Sequence, residues 1–378
     1  MGLYPRLEIN LEVIQSNVIT LLEQCKKWCI RPVFVTKGFL ADFPLVKMLY
    51  EAEVRNFADS NLVNLLRIRT LFGQSARLTL IRLPMRGELE TICEHNIIPF
   101  VSHWGALQDI NAVAEEKKKK QKVVLAVESG DAREGFLPDE LLRIGERVRE
   151  LPWVAIEGVG STLACLNGVL PNPVTMRWLI EFKEELGKKL GGQKIFLSVG
   201  GTTFIELWEN EGNWNGVDEI RFGEAFLFGS DISRKRDINW LRQGAFTVWA
   251  EIVEVYSKRV AQDSVRGFDA FGGIASTSTW GQRKRALLAL GKQDIDENQL
   301  YFPGEGVKIV GATSNYLVVD IEESEKDYRV GDVVGFRAGY GAVLRAFLSP
   351  YVEKVYVRKG EGVEDEEKFQ GKTFSGSR

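Results

Sequence analysis

The sequence predicts an α/β protein, a (β/α)8 barrel of the TIM type followed by a C-terminal all-β domain. Three observations carry that reading. Eight short apolar runs alternate with amphipathic stretches between residue 31 and about residue 230. The runs are continuously apolar rather than alternating, the pattern of parallel strands covered on both faces. Beyond about residue 240 the period changes to strand-like segments separated by glycine-rich turns, with no long helix. A doubly wound open sheet is the alternative arrangement of the same βα units.

In chain order the strand-like runs are Pro32–Thr36, Asn56–Ala58, Arg77–Leu83, Ile97–Ser102, Lys122–Val127, Val154–Val159, Lys194–Ser198 and Glu219–Arg221. Helical periodicity fills the gaps at Pro44–Ala52, Leu62–Leu71, Ala106–Lys120, Glu140–Leu151 and Val174–Leu190. The second domain reads as strands at Phe246–Tyr256, Arg285–Leu290, Val307–Val310, Leu317–Asp320 and Val333–Phe336. The expected domains are therefore a barrel over 1–238, a β domain over 239–358, and a tail over 359–378 whose Lys/Glu/Gly/Ser composition predicts disorder.

Composition narrows the chemistry. The 378 residues are 44% hydrophobic and 27% charged, a globular balance. Basic and acidic residues number 49 and 52, so no basic field favours nucleic acid, and a small-molecule partner is expected. No segment offers the ~20 continuous apolar residues of a membrane helix, and the charged N-terminus lacks a signal peptide's apolar run, so a cytoplasmic location is expected. Cys25, Cys29, Cys93 and Cys165 form no CxxC pair, and Cys25 and Cys29 read as two buried thiols on a helix. His95 and His103 are the only histidines, which leaves little for a metal site or a Ser-His-Asp hydrolase; no metal is expected. Acid-base chemistry falls to Lys, Tyr, Asp, Glu or a cofactor. The run Lys117–Lys120 reads as the solvated end of a helix.

In such a barrel the active site lies at the carboxyl ends of the strands, and the loops after strands seven and eight often hold phosphate. Strand seven runs into Ser198–Thr203, where Gly200 and Gly201 open the backbone and Thr202 and Thr203 offer hydroxyls. Strand eight runs into Arg221–Ala225, with Gly223 at a helix start. Together the two loops point to a phosphate-bearing cofactor. Lys37 ends the first barrel strand on the same rim; it reads as a solvated loop lysine or as a Schiff-base lysine for an aldehyde cofactor. Arg133, after strand five, adds a cation there.

These segments, with Pro5–Ile9, Val35–Gly38, Ala58–Ser60, Glu128–Gly135 and Gly160–Cys165, resemble the alanine-racemase-type, fold-type III pyridoxal-phosphate enzymes, and most of all their ornithine and lysine racemase branch. The similarity runs from residue 5 to about residue 350. It implies that Lys37 binds pyridoxal 5'-phosphate as a Schiff base and is one of two catalytic bases. It further implies that Arg221 contacts the pyridine nitrogen, that Thr202, Thr203, Gly223, Glu224 and Tyr340 hold the phosphate, and that Arg133 stands beside the phenolate oxygen and the substrate carboxylate. A homodimer with shared active sites is implied as well.

Two positions depart from the family. The β-domain tyrosine that serves as second base has its counterpart in Leu290–Asp294, where Lys292 takes its place and Asp294 is the other candidate. The histidine after strand six is replaced by Thr162. Asp131, Glu134 and Asp294 are candidates to receive a basic substrate side chain, and Ser314 is a further substrate-facing candidate. The expected activity is racemisation of a free amino acid, ornithine or lysine, by two-base proton transfer at Cα. A D-amino-acid aldolase or dehydratase of the same fold, a non-catalytic pyridoxal-phosphate-binding protein and a paired-carboxylate barrel hydrolase are the alternatives.

Overall fold

The computed structural model describes residues 3–259, 265, 267–273 and 282–358; the segment 359–378, expected to be disordered, lies outside the described residues. The chain divides into two compact units, Ile14–Gln243 and Met1–Val13 together with Gly244–Arg378.

The chain opens with β1 (Arg6–Asn10) and α1 (Leu11–Lys27). The first unit then alternates β2 (Arg31–Val35), α2 (Phe43–Glu51), β3 (Asn56–Asp59), α3 (Leu62–Phe72), β4 (Arg77–Leu80), α4 (Leu89–Glu94), β5 (Ile98–Val101) and α5 (Trp104–Glu116). It continues through β6 (Gln121–Ala126), α6 (Pro138–Arg147), β7 (Val154–Thr162), α7 (Pro173–Lys189), β8 (Phe196–Gly200), α8 (Ile205–Glu211), β9 (Glu219–Phe222) and α9 (Glu224–Phe228). Strands β2 to β9 pair in parallel and β9 closes on β2, which decides for the barrel over the open sheet. All eight strand-like runs seen in the sequence supply one barrel strand each. Their continuous apolarity has its cause here: β5 and β9 are buried at every position, walled by the barrel interior on one face and by helices on the other.

Local chemistry sets the helix starts. Asn61 accepts a hydrogen bond from the Val63 amide at 3.1 Å, and Asn172 accepts from Val174 and Thr175 with Pro173 at the first helical position. His103 caps α5 by accepting from the Ala106 amide at 3.1 Å. Two sequence expectations need correction. Cys25 is buried but Cys29 is exposed, because α1 stops at Lys27 and Cys29 sits in a turn at φ 56°. The run Arg77–Leu83 overshoots β4, since Arg82 turns away to pair with Glu88 at 2.7 Å.

After a short hairpin whose strands are two residues each, β10 (Ser230–Asp231) with β11 (Arg236–Asp237), the chain enters the second unit. There β12 (Phe246–Arg259), β13 (Gln282–Leu288), β14 (Leu300–Tyr301), β15 (Lys308–Ala312), β16 (Leu317–Asp320) and β17 (Val333–Ala338) form an antiparallel sheet in the order β14-β17-β12-β13-β16-β15. The unit is not purely β: α10 (Tyr340–Leu348) follows β17 and buries Ala342, Val343, Ala346 and Phe347 along one face. The chain then forms β18 (Glu353–Val357). The expected boundary assigned residues from 1 onward to the barrel, whereas β1 lies in the second sheet, antiparallel to β12 and parallel to β18.

Candidate active site

Alternate residues of a strand share a face, so Arg31, Val33 and Val35 form one inward series along β2, and Lys37 follows two residues past its end. Val33 and Val35 pack with Ala58 and Ile81 inside the barrel, and Lys37 begins a single 3-10 turn, Lys37–Phe39, at the carboxyl end of the strand. Lys37 is half-buried, and its ammonium has no hydrogen-bond or ion-pair partner among the described residues. Beside it Thr36, facing outward, donates to Asp59 at 2.6 Å, and the Asn61 amide and Asn64 side chain also donate to that carboxylate. Burial pushes the Asp59 carboxyl up, while these donors and the charge of Lys37 pull it back.

Arg221 comes from the adjacent strand, paired with Val33 across β2 and β9. Its guanidinium is buried and held in one orientation. One nitrogen donates to the Ser198 carbonyl at 3.1 Å and to its hydroxyl at 2.6 Å; the other donates to the Ser161 carbonyl at 2.8 Å and to Thr162 Oγ1 at 2.9 Å. The ring of Phe100 lies 4.9 Å below the charge. Burial lowers its pKa to about 10, with the carboxylate of Glu219 opposing. Gly200 makes this possible: a Cβ there would stand 2.3 Å from the guanidinium. Thr162 thus serves as an acceptor for Arg221.

The two glycine-bearing loops lie together, joined by a hydrogen bond from the Ala225 amide to Thr202 Oγ1 at 3.0 Å. A Cβ at Gly223 would lie 3.8 Å from Val35, which sets this corner beside the exit of β2. Backbone N–H groups in the first turns after Gly201 and Gly223 have no intrahelical acceptor. The Thr203 hydroxyl is buried without a partner among the described residues. A buried hydroxyl left unpaired costs roughly 1–3 kcal/mol, and an anion's oxygen placed there would satisfy it. The residues therefore fit a phosphate group. The Glu224 side chain points elsewhere, accepting from Ser230 and from the Ile232 amide at 2.8 Å each. Burial, aided by the Asp231 carboxylate, raises its pKa to about 7. A carboxyl whose folded pKa is raised stabilises the fold at low pH and loses that contribution as the pH climbs through the raised value. The melting temperature of the protein should accordingly fall, relative to Glu224→Gln, between about pH 4.5 and about pH 7; parallel melting curves for the two proteins would refute this.

Arg133 stands on the rim, with one nitrogen 2.7 Å from Cys165 Sγ and the others on the Glu134 carboxylate. It is close enough to Arg221 to oppose that residue's charge. Asp131 is 2% exposed and spends its carboxylate on the loop amides of Leu166, at 2.7 Å, Cys165 and Val169, which hold it below the usual carboxylate range against the opposing effect of burial. It pins that loop rather than standing free for a ligand.

In the second unit, Gly291–Asp294 forms a tight turn closed by the Asp294 amide on the Gly291 carbonyl at 2.9 Å. Gly291 is pressed against the backbone of Ser314, whose carbonyl oxygen would lie 2.0 Å from a Cβ, and the Ser314 carbonyl accepts from Gln293. Lys292 is partly exposed, 3.2 Å from Glu297, with its ammonium 4.6 Å above the ring of Phe271. Asp294 turns into its own unit, 3% exposed and accepting from Ser349 Oγ at 2.7 Å. Tyr340 opens α10 behind Gly339.

Three polar residues escaped the sequence reading: Asp59, Ser198 and Glu219. A signal existed for the last. Glu219 and Arg221 stand two apart on one strand and so face the same interior.

A closed barrel that gathers a lysine, a fixed arginine and a phosphate-shaped corner at its strand ends is a frame into which an anionic cofactor fits. Residues 9–231 match the description alanine racemase, N-terminal domain. Over 353 residues, 93% of this chain and 98% of the other, the protein is 34% identical to a lysine racemase of Thermotoga maritima. It is 32% identical over 355 residues to an ornithine racemase of Acetoanaerobium sticklandii, covering 93% of this chain and 99% of that one. Among solved structures, the alanine racemase of Bartonella henselae with covalently bound pyridoxal phosphate superposes with a TM-score of 0.73 at 17% identity, covering 94% of this chain and all of that one. The chain belongs to the alanine racemase family. No described helix is long and apolar enough to cross a membrane.

Proposed function

We propose that the protein racemises a free basic amino acid, lysine or ornithine, with pyridoxal 5'-phosphate as cofactor, in a homodimer with shared active sites. The observation that carries this is the rim itself: Lys37 just past the carboxyl end of β2, Arg221 on the neighbouring strand, and the Thr203 hydroxyl, unpartnered among the described residues, in the corner between the two glycine-bearing loops. The relatives supply the substrate class. Pyridoxal phosphate, when bound, supplies the electron sink that lets a Cα proton leave.

Each residue then has a task. Lys37 provides the amine that anchors the cofactor and moves a proton at one face of the substrate Cα. Arg221 faces the pyridine nitrogen; as a cation that does not give up its proton, it disfavours a protonated ring. Thr202, Thr203 and the amides of Gly223 and Glu224, with Tyr340, hold the phosphate. Arg133 receives the substrate carboxylate. Lys292 of a second chain serves the opposite face, oriented by Glu297 at 3.2 Å. Asp131, Glu134 and Asp294 already have internal partners, so selection of a basic side chain rests here on the relatives and not on those carboxylates.

The test is direct. The protein purified with the cofactor is incubated in deuterated water with lysine, ornithine or alanine in turn, and optical rotation and deuterium at Cα are followed. Both should change fastest with the basic amino acids. A preference for alanine would overturn the substrate class. Release of an aldehyde or ammonia from a D-amino acid in place of exchange would favour an aldolase or dehydratase.

A further inference from the structure

We propose that Ser198 and Glu219 are positioning residues for this reaction, a hydrogen-bonded relay inside the barrel that fixes the guanidinium of Arg221 against the cofactor ring; the inference rests on the placement of Arg221 at the pyridine nitrogen. Glu219 is 1% exposed and fully engaged. One of its oxygens accepts from Ser198 Oγ at 2.8 Å. The other accepts from Arg31 at 3.0 and 2.8 Å and from Arg77 at 3.2 Å. Ser198, itself buried, accepts from Arg221 at 2.6 Å.

The chemistry leaves the hydroxyl one orientation. A carboxylate only accepts and a guanidinium only donates, so the Ser198 proton must lie toward Glu219 and its lone pairs toward Arg221. An isolated carboxylate in this interior would bear a large desolvation cost, which the two guanidinium groups offset. Those groups belong to the opposite end of the barrel: Arg31 and Arg77 flank the Phe196 ring at 5.2 Å each and line a cavity of about 440 Å³ at the amino ends of the strands. The relay thus joins charges at the far mouth of the barrel to the arginine at the catalytic rim. The carboxylate's pull on Arg221, which opposes the effect of burial, has the sign this arrangement requires.

A purely structural network makes a different forecast. Without the Ser198 hydroxyl, Arg221 still has the carbonyls of Ser198 and Ser161 and the hydroxyl of Thr162. If the network only fills the barrel, Ser198→Ala should be silent in everything but melting temperature. The experiment uses the holoenzyme and reads the pH midpoint of the bound cofactor's visible absorbance together with kcat and KM. Ser198→Ala should lower that midpoint by about half a unit, because the negative end of a dipole facing the site is lost. It should cut kcat about tenfold with KM changed less than about threefold. Glu219→Gln should move the midpoint further the same way, since Arg31 and Arg77 are left uncompensated, and the double variant should fall short of the sum. If Glu219→Gln fails to fold, Ser198→Ala decides alone. A Ser198→Ala enzyme with the original midpoint and kcat overturns the relay and leaves the cofactor reading intact. A parent protein that takes up no pyridoxal phosphate overturns the cofactor reading and the relay with it.

Discussion

Lys37→Ala abolishes racemisation and the visible absorbance of the bound cofactor together. The two losses have one origin, because a single amine both anchors the aldehyde and carries the proton on one face. Loss of an anchoring nucleophile that is also a general base costs on the order of 10³-fold or more in turnover. The fold should hardly notice. Lys37 is half-buried, the turn it begins is secured by the buried Gly38 and Phe39, and its ammonium pairs with nothing among the described residues. A change in stability within about 0.5 kcal/mol is expected, as for an ordinary surface substitution. Circular dichroism and melting curves separate a dead site from an unfolded chain. Normal turnover in this variant would sink the assignment of the whole rim, since every other role is defined relative to that amine.

Mixing two inactive proteins restores activity. Lys292→Ala should remove proton exchange from one enantiomer only, because the partner base still serves the other face. If Lys37 and Lys292 of one site come from different chains, a heterodimer of Lys37→Ala with Lys292→Ala contains one site with both lysines and one with neither. Random exchange makes half the dimers mixed, so about a quarter of the parent activity should return in a two-fold symmetric assembly. No recovery after subunit exchange, verified by mass, would mean that each site is built from one chain. Equal loss of exchange from both enantiomers in Lys292→Ala would make that residue structural. The partner of Lys292 matters here: Glu297, 3.2 Å away, orients the ammonium, so Glu297→Gln is the milder control in the same assay.

The barrel was legible because parallel strands leave a signature that survives without tertiary information. Both faces are buried, so Val123–Val127 reads as an unbroken apolar run, and helical periodicity between the runs marks the crossovers. The second unit was less legible. Helix α10 hides in Gly339–Leu348, where two glycines and a preceding strand suggest a turn, and its apolar stripe is only two turns long. The positions of Lys37 and of the two loops could be read from strand ends alone. Ser198, Asp59 and Glu219 could not, because each matters through partners on other strands, and a buried serine looks like any small residue in a run. The direction of Asp294 was equally hidden: whether a turn residue faces out or toward Ser349 depends on a helix terminus 55 residues later.

The N-terminal strand has a consequence for how the chain is made. β1 lies between two strands of its sheet, β12 on one side and β18 on the other, and Asn10 pairs with Val357 about 350 residues further along. At a synthesis rate of ~5–20 residues per second, those first residues emerge from the ribosome roughly 20 to 70 seconds before their last partner exists. The barrel, contiguous in sequence, has all its strands well before then. Until β12 follows, Leu7 and Ile9, both fully buried in the finished sheet, have no partner strand. A nascent chain therefore holds β1 without either neighbour until every barrel strand has been made, and with only one neighbour until β18 follows.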